Sequence, residues 1–243
     1  MKALGFAGLL CLIVAPTVSG GVIAPIINEW VANHTGTDTN EYVEILGDPN
    51  TDYSAWTILE IEGDSSAPGT IDDYAGISGA VGTTDANGIF VTAFSTNGLE
   101  NGSMTLLLVK DFAPINPFGT GDDIDTDDDG VIDTTFWSLM SDSVGVNDGG
   151  AGDFTYGEVE LVAFFDGLSF SPGGASRIPN GTDTDSVSDW RRNAFNGEGI
   201  AGLPGGALDP VEALNTPGLP NVPEPATLSL LALGGLAILR RRR

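Results

Sequence analysis

The chain has 243 residues with 34 acids, nine basic residues, one histidine and one cysteine, and a formal net charge of −25. Only Glu224 among the acids, and Lys2 with Arg240 to Arg243 among the bases, lie outside 21–221, so that segment sets 33 acids against Lys110, Arg177, Arg191 and Arg192, a net −29. Such a surface keeps a protein soluble and attracts cations, and it argues against nucleic acid as a partner unless a metal bridges the two.

The N-terminus reads as a signal peptide, residues 1–20: Lys2, an apolar stretch from Ala3 to Ala15, then the small residues Thr17-Val18-Ser19-Gly20. Cys11 lies inside the apolar stretch, and Gly8-Leu9-Leu10 lacks the small residue expected ahead of a lipidated cysteine. The exported remainder then has no cysteine, which rules out disulfides and thiol catalysis. Its length, 21–221, suits one domain.

Strand signals follow in order. Ile26 to Ala32 is apolar enough for a first strand, and Asn33 to Asn40 is turn-like. Glu41 to Leu46 places Val43 and Ile45 on one face and Tyr42 and Glu44 on the other, which predicts a half-buried strand. Trp56 to Glu62 alternates again. Gly88 to Phe94, Met104 to Lys110, Thr135 to Leu139 and Val159 to Phe165 are the remaining candidates. Asn87-Gly88, Asn97-Gly98, Asn101-Gly102 and Asn180-Gly181 punctuate them as tight turns do. No segment of 21–221 carries a convincing amphipathic helix, so the expected class is all-β, a β-sandwich. From Asn196 to Asn221 the chain is rich in Gly, Pro and Ala and reads as a loop leading to a stalk.

The C-terminal segment, 222–243, orients the whole. Val222-Pro223-Glu224-Pro225 breaks any helix, Ala226 to Leu239 is apolar, and Arg240, Arg241, Arg242 and Arg243 close the chain. A transmembrane helix over 226–239 spans only about 21 Å at 1.5 Å per residue, short of the ~30 Å bilayer core. The arginines favour the cytoplasmic side, which puts 21–221 outside. This order of features closely resembles the PEP-CTERM sorting signal of Gram-negative bacteria. The resemblance implies a precursor held in the inner membrane, processed by an exosortase after passing the secretion machinery, and destined for the cell surface or extracellular matrix. An ordinary tail anchor is the bland alternative, with the same orientation.

Two further segments resemble the ends of a bacterial lamin-tail domain. The opening is Ile27-Asn28-Glu29 with Gly36 to Ile45. The close is Ser176 to Gly181, Asp183 to Asp185, Trp190, and Thr216-Pro217-Gly218-Leu219-Pro220-Asn221. The resemblance implies an immunoglobulin-like sandwich over 21–221, with a long acidic insertion at about 111–157 that the minimal family domain lacks.

One cluster inside the insertion is site-like. Asp125-Thr126-Asp127-Asp128-Asp129-Gly130-Val131-Ile132-Asp133 has carboxylates at alternate positions, a glycine for the sharp turn, and the Val131 carbonyl as the next ligand. It resembles EF-hand-like and dockerin-like loops and points to Ca²⁺ on Asp125, Asp127, Asp129, Val131 and Asp133, in a structural role. Position twelve is Phe136 where a carboxylate is expected, with Asp122 or Asp123 as substitutes. A solvated acidic loop is the competing reading.

Other residues carry less. His34 reads as a surface turn residue, and Arg191-Arg192 beside Trp190 as an anion clamp or, better, as salt-bridge partners. Tyr53, Trp56 and Tyr74 read as core or as sugar-stacking aromatics. The chain is therefore expected to be a non-enzymatic surface or matrix protein. A calcium-dependent module for exopolysaccharide or a surface protein is the alternative, and a secreted hydrolase the third.

Overall fold

A computed structural model describes residues 23–72, 79–116 and 121–221. The expected signal peptide, the tail 222–243 with its span at 226–239, and Tyr74 lie outside the described residues. No helix among the described residues is long and apolar enough to cross a membrane.

Ten strands form among the described residues: β1 Ile26–Val31, β2 Tyr42–Leu46, β3 Trp56–Glu62, β4 Gly79–Ala80, β5 Ile89–Val91, β6 Met104–Lys110, β7 Leu139–Asn147, β8 Glu160–Val162, β9 Gly174–Arg177 and β10 Trp190–Arg192. They make two five-stranded sheets, in the orders β10-β9-β1-β2-β5 and β4-β3-β6-β7-β8. Every pairing is antiparallel except β7 with β8. The only helical element among the described residues is a turn of 3₁₀ at Val187–Asp189.

The two-residue period of the strands explains how the sheets stack. Trp56 and Ile58 of β3, Leu106 and Leu108 of β6, and Val144 and Val146 of β7 face Ile27, Trp30, Val43 and Ile45 of the first sheet and form the inter-sheet core. The alternate residues Leu59, Ile61, Leu107 and Val109 point the other way. They are covered by Ile71, Ile124 and Tyr156, so the second sheet is buried on both faces. Phe112, Ile124, Ile132, Phe136 and Trp137 of the excursion between β6 and β7 lie over this outer face. Leu139–Asn147, inside the expected insertion, is instead the longest strand of the sheet. The strand expected at Thr135 to Leu139 does not form: Phe136 and Trp137 pack on the second core, and the ladder starts at Leu139.

The first sheet is also covered on its outside. Tyr42 and Glu44 were expected to face solvent, but both are fully buried. The segment 196–221, expected as a loop leading to a stalk, is irregular and packs on this face: Ile200 and Leu203 lie on Val31 and Tyr42, and Ala213 pairs with Asn193 and Arg192. A bulge in β1 between Ile27 and Glu29 shapes this face. It lets Ile27 and Trp30 both point into the core and leaves Asn28 and Glu29 both on the outside.

Gly88 tests the turn before β5. Its φ is +83°, and a Cβ there would meet the Gly47 carbonyl oxygen. Gly88→Ala is expected to cost at least about 1–2 kcal/mol from the left-handed backbone alone. A urea unfolding curve with an unchanged midpoint would show that the turn relaxes freely.

Candidate functional site

The acidic loop is positioned by a buried anchor. Ile124 is fully buried in the second core, its N–H bonds the Gly69 carbonyl, and its own carbonyl accepts from Asp133 and Thr134. Chain entering and leaving the loop is thereby pinned at one point. Asp125, fully buried, organises the turn: Oδ1 accepts from the Asp129 N–H at 3.1 Å, and Oδ2 from Gly130 N–H at 2.8 Å and the Tyr156 hydroxyl at 2.9 Å. Gly130 has φ +84° and sits where a Cβ would strike the Phe154 ring, so glycine is required there.

Three of the five expected ligands converge. Asp125, Asp127 and Asp133 each offer an oxygen within 4.8 Å of the others. Asp127 is raised above its ordinary value chiefly by Asp129, then Asp133, as crowded like charges require. Asp129 instead accepts from the Val131 N–H at 3.0 Å, and the Val131 side chain is exposed. Asp122 is not free to replace the missing twelfth ligand, because its carboxylate is taken by the N–H groups of Ile115 and Asn116. Asp123 accepts from the Asp125 N–H. Phe136 packs against the second core.

Two more carboxylate groups share Asp64: Glu62 with Asp64 and Glu100, and Asp64 with Asp148 and Asp153. Burial pushes Glu100 up to about 8, with Glu62 adding to the shift. These residues come from three separate segments, so no local spacing announces them.

A third polar centre lies on the outer face of the first sheet. Glu29 and Glu44 stand opposite each other on β1 and β2. Glu29 accepts from the Tyr42 hydroxyl, from Asn193 at 3.0 Å, and from the Thr216 N–H at 2.8 Å and hydroxyl at 2.7 Å. Glu44 accepts from Asn28 at 2.7 Å and from the Gly218 N–H at 2.8 Å. Asn180 joins Asn28 to the Asn221 N–H, and Asn221 donates to the Asn28 carbonyl. Burial raises both carboxyls, Glu44 to about 8, and the charge of Glu29 adds to the effect on Glu44.

The basic residues are mostly committed. Arg177 is buried, paired with Asp142 at 2.8 Å and Asp183 at 2.9 Å, and stacked on Trp190. Arg192 pairs with Asp166 at 2.7 Å and lies over Phe170, so it clamps no free anion, while Arg191 is exposed. His34 is not a surface residue: it is buried, with Nδ1 on the Thr35 carbonyl and its backbone N–H on Asp38. Tyr53 and Trp56 are core residues.

These features define an acidic all-β protein whose described C-terminal residue, Asn221, is 1% exposed and held inside the fold. Residues 221–243 match the family described as the PEP-CTERM protein-sorting motif. The chain is thus an exported, membrane-anchored precursor of the kind that motif marks. No curated protein matches the chain, and neither does any solved structure.

Proposed function

We propose that the chain is a non-enzymatic module of the cell surface or extracellular matrix, released from its membrane anchor by an exosortase. The observation that carries this is the junction: the sorting motif begins at Asn221, which is buried in the described body, so the motif is joined directly to a folded domain. The body is read as a lamin-tail-like, immunoglobulin-like sandwich. In support, residues from the two ends of that resemblance, Asn28, Glu29 and Glu44 on one side and Asn180, Thr216, Gly218 and Asn221 on the other, meet in one hydrogen-bonded network. The loop 125–133 is read as a structural Ca²⁺ site on Asp125, Asp127 and Asp133, which would neutralise the crowded acids and fix the excursion over the second sheet. A calcium-dependent binding module is less favoured, since Phe136, Trp137 and Phe154 near this loop are half-buried against the core rather than offered as a platform.

The test is expression of the full chain in a Gram-negative host with and without its exosortase. With the enzyme, a product shortened at the C-terminus is expected outside the inner membrane. Without it, the full-length chain stays in the membrane fraction. Identical products in both hosts would refute the reading.

A further inference from the structure

Asn97 lies in the connection that carries the chain from β5 of the first sheet to β6 of the second. It is exposed, and Gly98 after it is buried. The chain has five Asn-Gly pairs, at Asn87, Asn97, Asn101, Asn180 and Asn196. A glycine nitrogen is sterically open to attack on the side chain before it, so all five share one intrinsic chemistry and the fold decides among them.

Four of the five carboxamides are engaged. The amide of Asn87 donates to Asp85 at 3.1 Å, that of Asn101 to Asp38 at 2.9 Å, and that of Asn196 to the Ala207 carbonyl at 3.2 Å. The Asn180 oxygen accepts from Asn28 at 3.0 Å and from the Asn221 N–H at 2.8 Å. The Asn97 carboxamide has no partner among the described residues, so it is free to turn toward the next peptide nitrogen. The nitrogens differ too. The N–H groups of Gly88 and Gly197 sit on backbone carbonyls, and that of Gly181 on the Asn28 amide oxygen. None of these acceptors is basic. The Gly98 N–H instead donates to the Glu41 carboxylate, which also accepts from Leu99 at 3.1 Å. Burial raises that carboxyl above its ordinary value, which makes it a stronger base.

We infer that Asn97 is a site of spontaneous deamidation, with Glu41 as its base. Glu41 takes the Gly98 amide proton as the nitrogen bonds to the Asn97 Cγ. The bond from Cγ to the side-chain nitrogen then breaks, and the proton passes from Glu41 to the departing ammonia. Water from solvent opens the resulting succinimide at either carbonyl and leaves aspartate or isoaspartate at position 97. The net change is a water consumed and an ammonia released, with no oxidant or cofactor. Isoaspartate lengthens the main chain by a methylene in a turn whose Leu99 is 5% exposed and part of the inter-sheet core. Modification therefore loosens the crossing between the two sheets, and the protein carries a mark of its age. This inference goes beyond the display role and does not depend on the calcium loop. A hydrogen bond to a carboxylate can also hold a nitrogen still, and the two effects of Glu41 have opposite signs.

The test is peptide mapping by mass spectrometry on the full chain in detergent, aged at mildly alkaline pH beside a urea-unfolded sample. Conversion is read as the mass gain of an amide turned acid, and isoaspartate by backbone fragmentation. In urea the five pairs are expected to convert at similar rates. In the folded protein Asn97 is expected first and Asn180 last. Glu41→Gln keeps an acceptor for Gly98 and Leu99, and is expected to slow Asn97 by at least about tenfold, since a positioned base contributes roughly 10²–10⁴ in rate. If that variant does not fold, the order of the five sites in the parent decides. Another pair converting ahead of Asn97 in the folded chain, or an unchanged or faster rate in folded Glu41→Gln, would overturn the assignment.

Discussion

Calcium is expected to raise the melting temperature of the protein by roughly 3–10 °C. Extracellular calcium modules bind with dissociation constants of about 10⁻⁴–10⁻³ M, so ~10 mM free ion gives a ligand excess of about 10–100. Linkage converts that to about 1.4–2.7 kcal/mol, and a domain of this size shifts by ~2–4 °C per kcal/mol. The variant Asp127→Asn makes the prediction sharp, because its effect reverses sign. Without calcium, Asp127 is held among Asp129, Asp133 and Asp125, and its proton affinity is raised by them, so removing its charge relieves repulsion. The variant is then at least as stable as the parent. With calcium it loses a ligand and falls below the parent. A raised carboxyl contributes stability below its unfolded value of 3.8 that is lost as pH rises through its folded value, so the empty loop is firmest in acid. Calcium is expected to take the proton's place at neutral pH. Melting curves of both proteins at several calcium levels settle it: parallel curves with no calcium dependence would leave 125–133 a solvated acidic loop.

The acidic loop was legible because its groups are neighbours in the chain and the spacing of Asp125, Asp127 and Asp133 around Gly130 is itself the geometry. The carboxylates Glu62, Asp64, Glu100, Asp148 and Asp153 were illegible for the opposite reason: only folding brings β3, the 100–103 loop and the end of β7 together. Strands divide the same way. β3 and β6 are rich in Leu, Ile, Val and Thr, with Glu60 and Glu62 interrupting β3, and their bounds follow from composition. β7 carries Ser143 and Gly145 on its outer face, because the chain at 155–158 packs close enough to need small residues there. β9 is Gly-Ala-Ser-Arg, and Gly174 lies against the Trp30 carbonyl where no side chain fits. Neither pattern looks like a buried strand without knowledge of its neighbour. The run 196–221 is the loop its composition suggests, but its attachment to the body was not legible. Its Gly and Pro content is that of a linker, but its order comes from Asn215, Thr216 and Asn221 bonding to partners far back in the chain.

That last contact supports the second large prediction. Glu29→Ala is expected to destabilise the protein by about 3–5 kcal/mol, since it strands the Tyr42 hydroxyl, the Asn193 amide and both Thr216 donors in a buried site. The damage is local first: protease cutting within 195–221 should appear well below the global melting temperature. Glu44 gives the same clasp a pH dependence. Burial pushes it to about 8, with Glu29 opposite and Asp85 nearby adding like charge. A raised carboxyl contributes stability that is complete below its unfolded value of 4.5 and is lost as pH climbs through about 8. Asp166 and Asp189 are lowered by their own partners, so their contribution is present above 3.8 and lost below it, outside this window. Hydrogen exchange, corrected for its intrinsic pH dependence, should therefore show 212–221 loosening between about pH 5 and 9 while the middle of β6 holds; Glu100, raised to about 8 beside Glu62, adds a pH dependence of its own at the end of β3. Uniform protection across that range, or a Glu29→Ala variant within about 1 kcal/mol of the parent, would mean the C-terminal segment is held by its apolar contacts with Val31 and Tyr42 alone. Loosening confined to this segment would instead place a proton-sensitive clasp at the start of the sorting motif.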